Sequence, residues 1–284
     1  MRTAAAALAF VLFAGANALA ASAAAVRPVV VELYTSQGCS SCGPAQALAA
    51  KLAQKPGVLV LSFSVTYWDM FGWKDTLASN ENTNRQKAYA AALRRGGVYT
   101  PQMIIDGVKD VAGGREDAVS YALEMASMAR DDGMEPDEEL PPIAKRDGQP
   151  GDIAFVAGAR VKTWARSAWS VGVNLSAQPN KLRVAIERAP ETAKHSNVDA
   201  TIWLFRLRSS ATVKVSAGEN NGQTLTYRNV VSGIDNLGRW RGEPMNIDLA
   251  KPPAGKVAPY DSIAVVVQQG GYGRVVGAAY LRNL

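Results

Sequence analysis

The feature that most constrains this chain is a strand-to-helix junction carrying both of its cysteines. Val29-Val30-Val31-Glu32-Leu33-Tyr34 is a β-branched run bounded by Pro28 and the Ser36-Gln37-Gly38 turn, which predicts a largely buried strand. Cys39-Ser40-Ser41-Cys42 follows at once. Ser41 to Lys55 then places Ala45, Leu48, Ala49 and Leu52 at helical spacing, and Pro56-Gly57 ends the run. Val58 to Val65 is a second strand of buried type, and two strands joined through a helix pair in parallel by a right-handed crossover. Beyond an aromatic loop, Ser79 to Arg95 carries strong helix formers and stops at Gly96-Gly97. Met103 to Ile105 and Val108 to Val111 flank Asp106-Gly107, a dipeptide suited to a type I′ hairpin turn, and a last helix is expected over roughly Arg115 to Ala129. The order predicts a small mixed sheet with an antiparallel edge and helices on both faces.

That unit accounts for residues 26–129, and 284 residues suggest a second domain. Composition marks the division. Residues 26–129 hold 10 basic and 9 acidic side chains, and 130–152 hold 3 basic and 8 acidic with Pro136, Pro141, Pro142 and Pro150. Residues 153–284 hold 17 basic and 8 acidic. An acidic, proline-broken stretch buries little apolar area, so 130–152 is expected to be a linker. In 153–284, short alternating runs (Ser170 to Leu175, Lys181 to Ile186, Thr201 to Leu207, Thr212 to Val215, Leu225 to Val231, Ile263 to Val267, Val275 to Leu281) lie between Gly, Asn, Pro and Ser clusters. They predict an all-β sandwich-like domain, with Trp203, Phe205 and Leu207 on its core face and Trp164, Trp169 and Trp240 as packing residues.

The first 25 residues read as a secretory signal peptide. An Ala/Leu/Phe-rich run follows Met1-Arg2, and Ala18-Leu19-Ala20 and Ala21-Ser22-Ala23 both fit the small-residue cleavage pattern. No later segment reaches the ~18 to 20 apolar residues of a spanning helix. The mature chain is therefore expected in the periplasm or outside the cell, where a cysteine pair can be oxidised.

Cys39-Ser40-Ser41-Cys42 is the constellation with evident chemistry. Amide N–H groups and the positive end of a helix dipole stabilise a thiolate at the first cysteine, and the second, one turn on, can close a disulfide or resolve a mixed one. Zinc lacks a second cysteine or histidine pair to complete a site. A purely structural bridge over so short a loop removes little unfolded-state entropy. His195, the sole histidine, is expected to be a solvated loop residue. No Gly-rich phosphate loop, carboxylate pair or nucleophile elbow is present, and the net charge of +6 is too mild to imply nucleic acid. No cofactor or metal is expected.

The strand, C-x-x-C and helix, followed by Val98-Tyr99-Thr100-Pro101 before a hairpin strand, resemble the thioredoxin-like fold. The resemblance implies a cis-proline at Pro101, preceded by Thr100, packed against the disulfide and open to pair with an extended partner peptide. A narrower resemblance covers nearly all of the mature chain. Glu32 to Cys42, Tyr67-Trp68-Asp69, Gly72-Trp73-Lys74-Asp75, Arg85-Gln86, Tyr99 to Gln102 and the Gly218-Glu219-Asn220 turn are similar to a secreted bacterial thioredoxin-like family, domain of unknown function 1223. This chain departs from that pattern at Gly43, Gln46, Ser64 and Thr66, where the family tends to carry proline, an acid, histidine and aspartate.

Other candidates have two readings each. Glu32, in an otherwise apolar strand, is either a buried acid that serves Cys42 as proton acceptor, the role the resemblance implies, or an outward-facing residue. Tyr67, Trp68, Phe71 and Trp73 form either an apolar wall for a protein partner or core under a loop. Asp69 and Asp75 are expected to cap turns. Met70 and Met103 beside two thiolates suit Cu(I), though isolated methionines are commonly core.

The fold expected is thus an α/β thioredoxin-like domain followed by an all-β sandwich-like domain. The function expected is thiol-disulfide exchange with exported proteins: Cys39 and Cys42 react, and Thr100, Pro101, Tyr67, Trp68 and Trp73 line the groove. A non-catalytic binding module and a Cu(I) carrier are the rivals.

Overall fold

The computed structural model describes residues 27–131, 169–193, 198–250 and 260–284. The expected signal segment, nearly all of the acidic linker, Trp164 and His195 lie outside them. In the first zone the order is β1 (Val29–Thr35), a one-turn 3-10 helix (Ser40–Cys42), α1 (Gly43–Leu52), β2 (Val58–Ser64), a 3-10 helix (Thr66–Phe71), α2 (Asn80–Ala92), β3 (Gln102–Ile105), β4 (Lys109–Ala112) and α3 (Glu116–Asp131). Ser79 starts α2 as its N-cap, its hydroxyl accepting from the Asn82 N–H at 3.1 Å. Asp106 and Gly107 sit at φ 47° and 73°, the positive values that a type I′ turn requires at both central positions.

The second zone is built from β5 (Val173–Ala177), β6 (Lys181–Ile186), β7 (Ala200–Lys214), β8 (Thr224–Trp240), β9 (Met245–Ala250), β10 (Ser262–Gln269) and β11 (Val275–Leu281). Its strands form two sheets, but not a sandwich standing by itself. One eight-stranded mixed sheet runs β11-β10-β7-β8-β2-β1-β3-β4 through both zones, and a separate antiparallel sheet holds β5-β6-β9. The join is short and well sealed. Ser62 of β2 pairs in parallel with Val230 of β8, the Ser62 hydroxyl donates to the Arg228 carbonyl at 2.7 Å, and the Asn229 amide donates to the Val60 carbonyl at 2.9 Å.

Three cores follow from side-chain alternation along the strands. Val29, Val31 and Leu33 of β1 face α1 and α3, packing on Leu48, Leu52, Val119 and Ala126. Val30 and Tyr34, with Leu61, Phe63 and Ile104, face the other way and meet Tyr89 of α2 together with Phe205, Leu207 and Val266 of the second zone. The large sheet therefore folds its two halves over one shared core. The outer face of the second-zone half, Ile202, Leu204, Val265 and Val267, packs on Leu182, Val184 and Ile186 of the small sheet.

Two polar clusters fasten this arrangement. Glu32 lies fully buried in the shared core, with both oxygens held by Arg85 at 2.7 Å and by the hydroxyls of Tyr34 and Tyr89 at 2.8 and 2.7 Å. Arg85 also donates to Gln268 of β10 at 3.0 Å, which carries the network across the zones. Nearer the start of β1, the Asp106 carboxylate takes two bonds from Arg27 and one from the Val30 N–H, while its carbonyl accepts from Val275 of β11 at 2.9 Å. No helix among the described residues is long and apolar enough to cross a membrane.

Candidate functional site

β1 ends at the Ser36-Gln37-Gly38 turn, where the Gly38 N–H donates to the Ser36 hydroxyl at 3.0 Å and the Cys39 N–H to the Ser36 carbonyl at 3.2 Å. This turn delivers Cys39 to the start of the helical segment, and Cys42 falls one turn later as the N-cap of α1, with Pro44 in the first turn. The two sulfurs are bonded at 2.11 Å with the Cα atoms 5.4 Å apart. Both cysteines are fully buried, although Ser40, Ser41, Gly43 and Pro44 around them are exposed.

Gln37 is the hub beneath the disulfide. Its N–H donates to Asp75 at 2.7 Å, its side-chain carbonyl accepts from the Trp73 indole at 2.8 Å, and its backbone carbonyl accepts from the Asn220 amide at 2.9 Å. Asp75 also accepts from the Leu77 N–H at 2.8 Å, and Asp69 accepts from the Asp75 N–H at 3.0 Å, so both acids cap loop turns. Burial raises the Asp75 carboxyl above its ordinary range, against the pull of those two N–H donors.

Aromatic side chains form the adjoining wall. A methyl on Gly38 would stand 3.5 Å from the Trp68 Cβ, and the Trp68 indole donates to the Thr100 hydroxyl at 2.7 Å. The Thr100–Pro101 peptide bond is cis and leads into β3. Pro101 lies beside α1, since a methyl on Gly113 would come within 3.1 Å of the Ala45 Cβ and 3.3 Å of the Pro101 Cβ. Tyr67 donates to Gln86 at 3.2 Å, and burial pushes its hydroxyl up to about 12. Gln86 in turn donates to the Tyr99 carbonyl at 2.8 Å. Tyr67, Trp68 and Trp73 are half-buried, whereas Met70 and Phe71 at the rim are 80% and 54% exposed.

The structure thus gathers Cys39, Cys42, Trp68, Thr100, Pro101 and Trp73 around one junction, with Tyr67 bracing the loop. Glu32 stands apart from them. It is a buried acid and not an outward-facing residue, but its face of β1 is opposite to that packed on α1, and its hydrogen bonds among the described residues run to Arg85, Tyr34 and Tyr89. Burial, and then the Glu32 charge, raise the Tyr34 and Tyr89 hydroxyls well above the phenol range, so both remain donors to it. Met103 is buried in the core under α1, while Met70 is exposed at the rim. No group of three or more His, Cys, Asp or Glu among the described residues is arranged to hold a metal.

Sequence reasoning missed Gln37 as the hub and missed the reach of the second zone. Ser40 of the C-x-x-C segment donates its N–H to Glu219 at 3.1 Å, and Tyr227 of β8 is buried, its hydroxyl raised by that burial and by the Asp75 charge. Contacts across some 180 residues leave no local signal.

Comparison with known proteins bears on the whole chain. A family model described as a protein of unknown function (DUF1223) matches residues 30–139 and 153–268. The chain is similar to the crystal structure of an Agrobacterium tumefaciens protein solved as a structural genomics target, at 30% identity and TM-score 0.65, covering 90% of this chain and 95% of that one. It shares its fold more distantly with HBP35 of Porphyromonas gingivalis, at 10% identity and TM-score 0.50, covering 90% of this chain and 75% of that one. No curated protein matches it.

Proposed function

The chain belongs to the DUF1223 family, and from the site it carries we propose that it is a thioredoxin-like protein exchanging thiols and disulfides with partner proteins through Cys39 and Cys42. The observation that carries this reading is the disulfide at the junction of a buried strand and a helix N-terminus, walled by Trp68, Thr100 and Pro101. The element order of the first zone, with a hairpin strand entered through Pro101, supports the thioredoxin-like assignment. The signal-like first 25 residues support export to an oxidising compartment, where such a pair finds partners.

In one direction a partner thiolate attacks the Cys39 sulfur. The Cys39–Cys42 bond breaks, and Cys42 leaves as a thiolate and takes up a proton. A second partner thiolate then attacks the partner sulfur held on Cys39, so the partner is oxidised to a disulfide as the pair becomes two thiols. The reverse begins with Cys39 as thiolate attacking a partner disulfide, and Cys42 closes the cycle. Direction follows the reduction potentials of the two pairs. Glu32 takes no part in these steps; its charge is satisfied within the core.

A Cys42→Ser variant should accumulate a mixed disulfide on Cys39 that dithiothreitol releases, and Cys39→Ser should accumulate none. Recovery of no mixed disulfide from envelope extracts, read on non-reducing gels, would overturn the proposal. Complete burial of both sulfurs favours a second reading, an inert structural bridge, and the same experiment separates the two.

A further inference from the structure

We infer that the tip of the β7–β8 hairpin, Gly218-Glu219-Asn220, is a displaceable gate over the Cys39–Cys42 disulfide, and that Glu219 and Asn220 determine which partners reach it. The inference rests on the exchange reading above and names its specificity element.

Burial of the disulfide is local. Both cysteines are fully covered while Ser40, Ser41, Gly43 and Pro44 are exposed, so the bond lies close beneath the surface. The hairpin tip grips the chain on either side of Cys39. The Asn220 amide donates to the Gln37 carbonyl at 2.9 Å, and the Ser40 N–H donates to the Glu219 carboxylate at 3.1 Å. The Ser40 bonds hold the Glu219 carboxyl below its ordinary value, in keeping with a charged acceptor at that amide. Gly218 completes the seat at φ 70°, where a methyl would lie 3.1 Å from the Trp73 Cβ and 3.3 Å from the Phe71 carbonyl, so the close approach itself calls for glycine.

The tip is also built to move as a unit. Val215 and Gln223 close it by a 2.9 Å bond, and the Gln223 N–H donates to the Asn220 carbonyl at 3.0 Å, so its shape does not depend on the disulfide region. The stem below stays anchored by the buried Tyr227 ring. Glu219 and Gly218 are exposed, which leaves the grip open to competition.

The two groups that the tip occupies are main-chain groups flanking the reactive sulfur. A partner that replaces it needs an acceptor for the Ser40 N–H and a donor for the Gln37 carbonyl. An extended peptide carrying a carboxylate and an amide near its own cysteine offers both, and dithiothreitol has neither a carboxylate nor an amide. The gate therefore favours such protein partners over thiols that lack those groups.

The test is the rate at which dithiothreitol reduces the full-length oxidised protein, read by thiol alkylation, in wild type, Glu219→Ala, Asn220→Ala and the double variant. One hydrogen bond is worth roughly a two- to tenfold factor, so the double variant should be reduced about tenfold or more faster, with each single variant between. Equal rates within about twofold across the series would overturn the gate. Should Asn220→Ala melt far below wild type, Glu219→Ala alone carries the comparison, since it removes the acceptor for the Ser40 N–H at an exposed position. The two proposals fail separately. Faster reduction with no partner trapped by Cys42→Ser keeps the gate and removes the exchange reading; unchanged rates with a partner trapped do the reverse.

Discussion

Glu32 and Asp75 are both buried carboxylates, and their surroundings give them opposite parts. Glu32 has a guanidinium with two bonds to it and two phenols besides, so it is an ion-paired carboxylate inside the shared core. Removing Arg85 would strand that charge at a cost of about 3–5 kcal/mol. Asp75 makes no salt bridge among the described residues and is supported by two backbone N–H groups. Its folded-state pKa is raised by burial, so its protonated form favours the fold. Its contribution to stability is then fully present below the unfolded value of about 4 and is lost as pH climbs through the raised folded value. Urea unfolding from pH 4 to 7 should show Asp75→Asn gaining on wild type as pH rises. A gap that widens against the variant would mean the N–H donors, not burial, govern this acid. The sequence alone marks Glu32 as anomalous within its strand, yet Arg85 and Tyr89, which join Tyr34 in satisfying it, lie 53 and 57 positions away, beyond any periodicity argument.

At the scale of elements, polar residues on an exposed face explain most of the differences between expectation and structure. Thr201 to Leu207 and Thr212 to Val215 look like two strands because Arg208, Ser209 and Ser210 intervene. In the fold these are the outward positions and edge of one 15-residue strand, bent by irregularities after Ile202 and Arg206. β9 escaped notice because Met245, Ile247 and Leu249 alternate with polar residues over only six positions. The Asp106-Gly107 turn was legible as a hairpin turn; its docking was not. A methyl on Gly107 would lie 2.0 Å from the Gly273 carbonyl at φ 73°, so the turn seats against the β10–β11 turn only with glycine. Gly107→Ala should destabilise the protein by more than about 1 kcal/mol in equilibrium unfolding. A neutral substitution would show that the two turns are free to separate.

For the whole molecule, the shared core is the decisive feature. Val30, Phe63 and Ile104 of one zone pack in the same cluster as Phe205, Leu207 and Val266 of the other, and Arg85 to Gln268 ties them through polar atoms. Neither half of the large sheet can be uncovered without exposing that cluster. Calorimetry of the intact chain should therefore give a single cooperative transition, and two resolved transitions would indicate independently folding zones. The chain's own sequence determined the strand and helix order around the cysteines, the Ser79 cap and the Asp106-Gly107 turn, because each depends on neighbours within a few residues. Tertiary structure alone decided that Glu32 is paired, that Gln37 is a hub, that one sheet spans both zones, and that Glu219 and Asn220 bond to Ser40 and Gln37 on either side of Cys39. Those outcomes come from faces meeting across long stretches of chain, where burial and hydrogen bonding are settled by packing geometry and not by local preference.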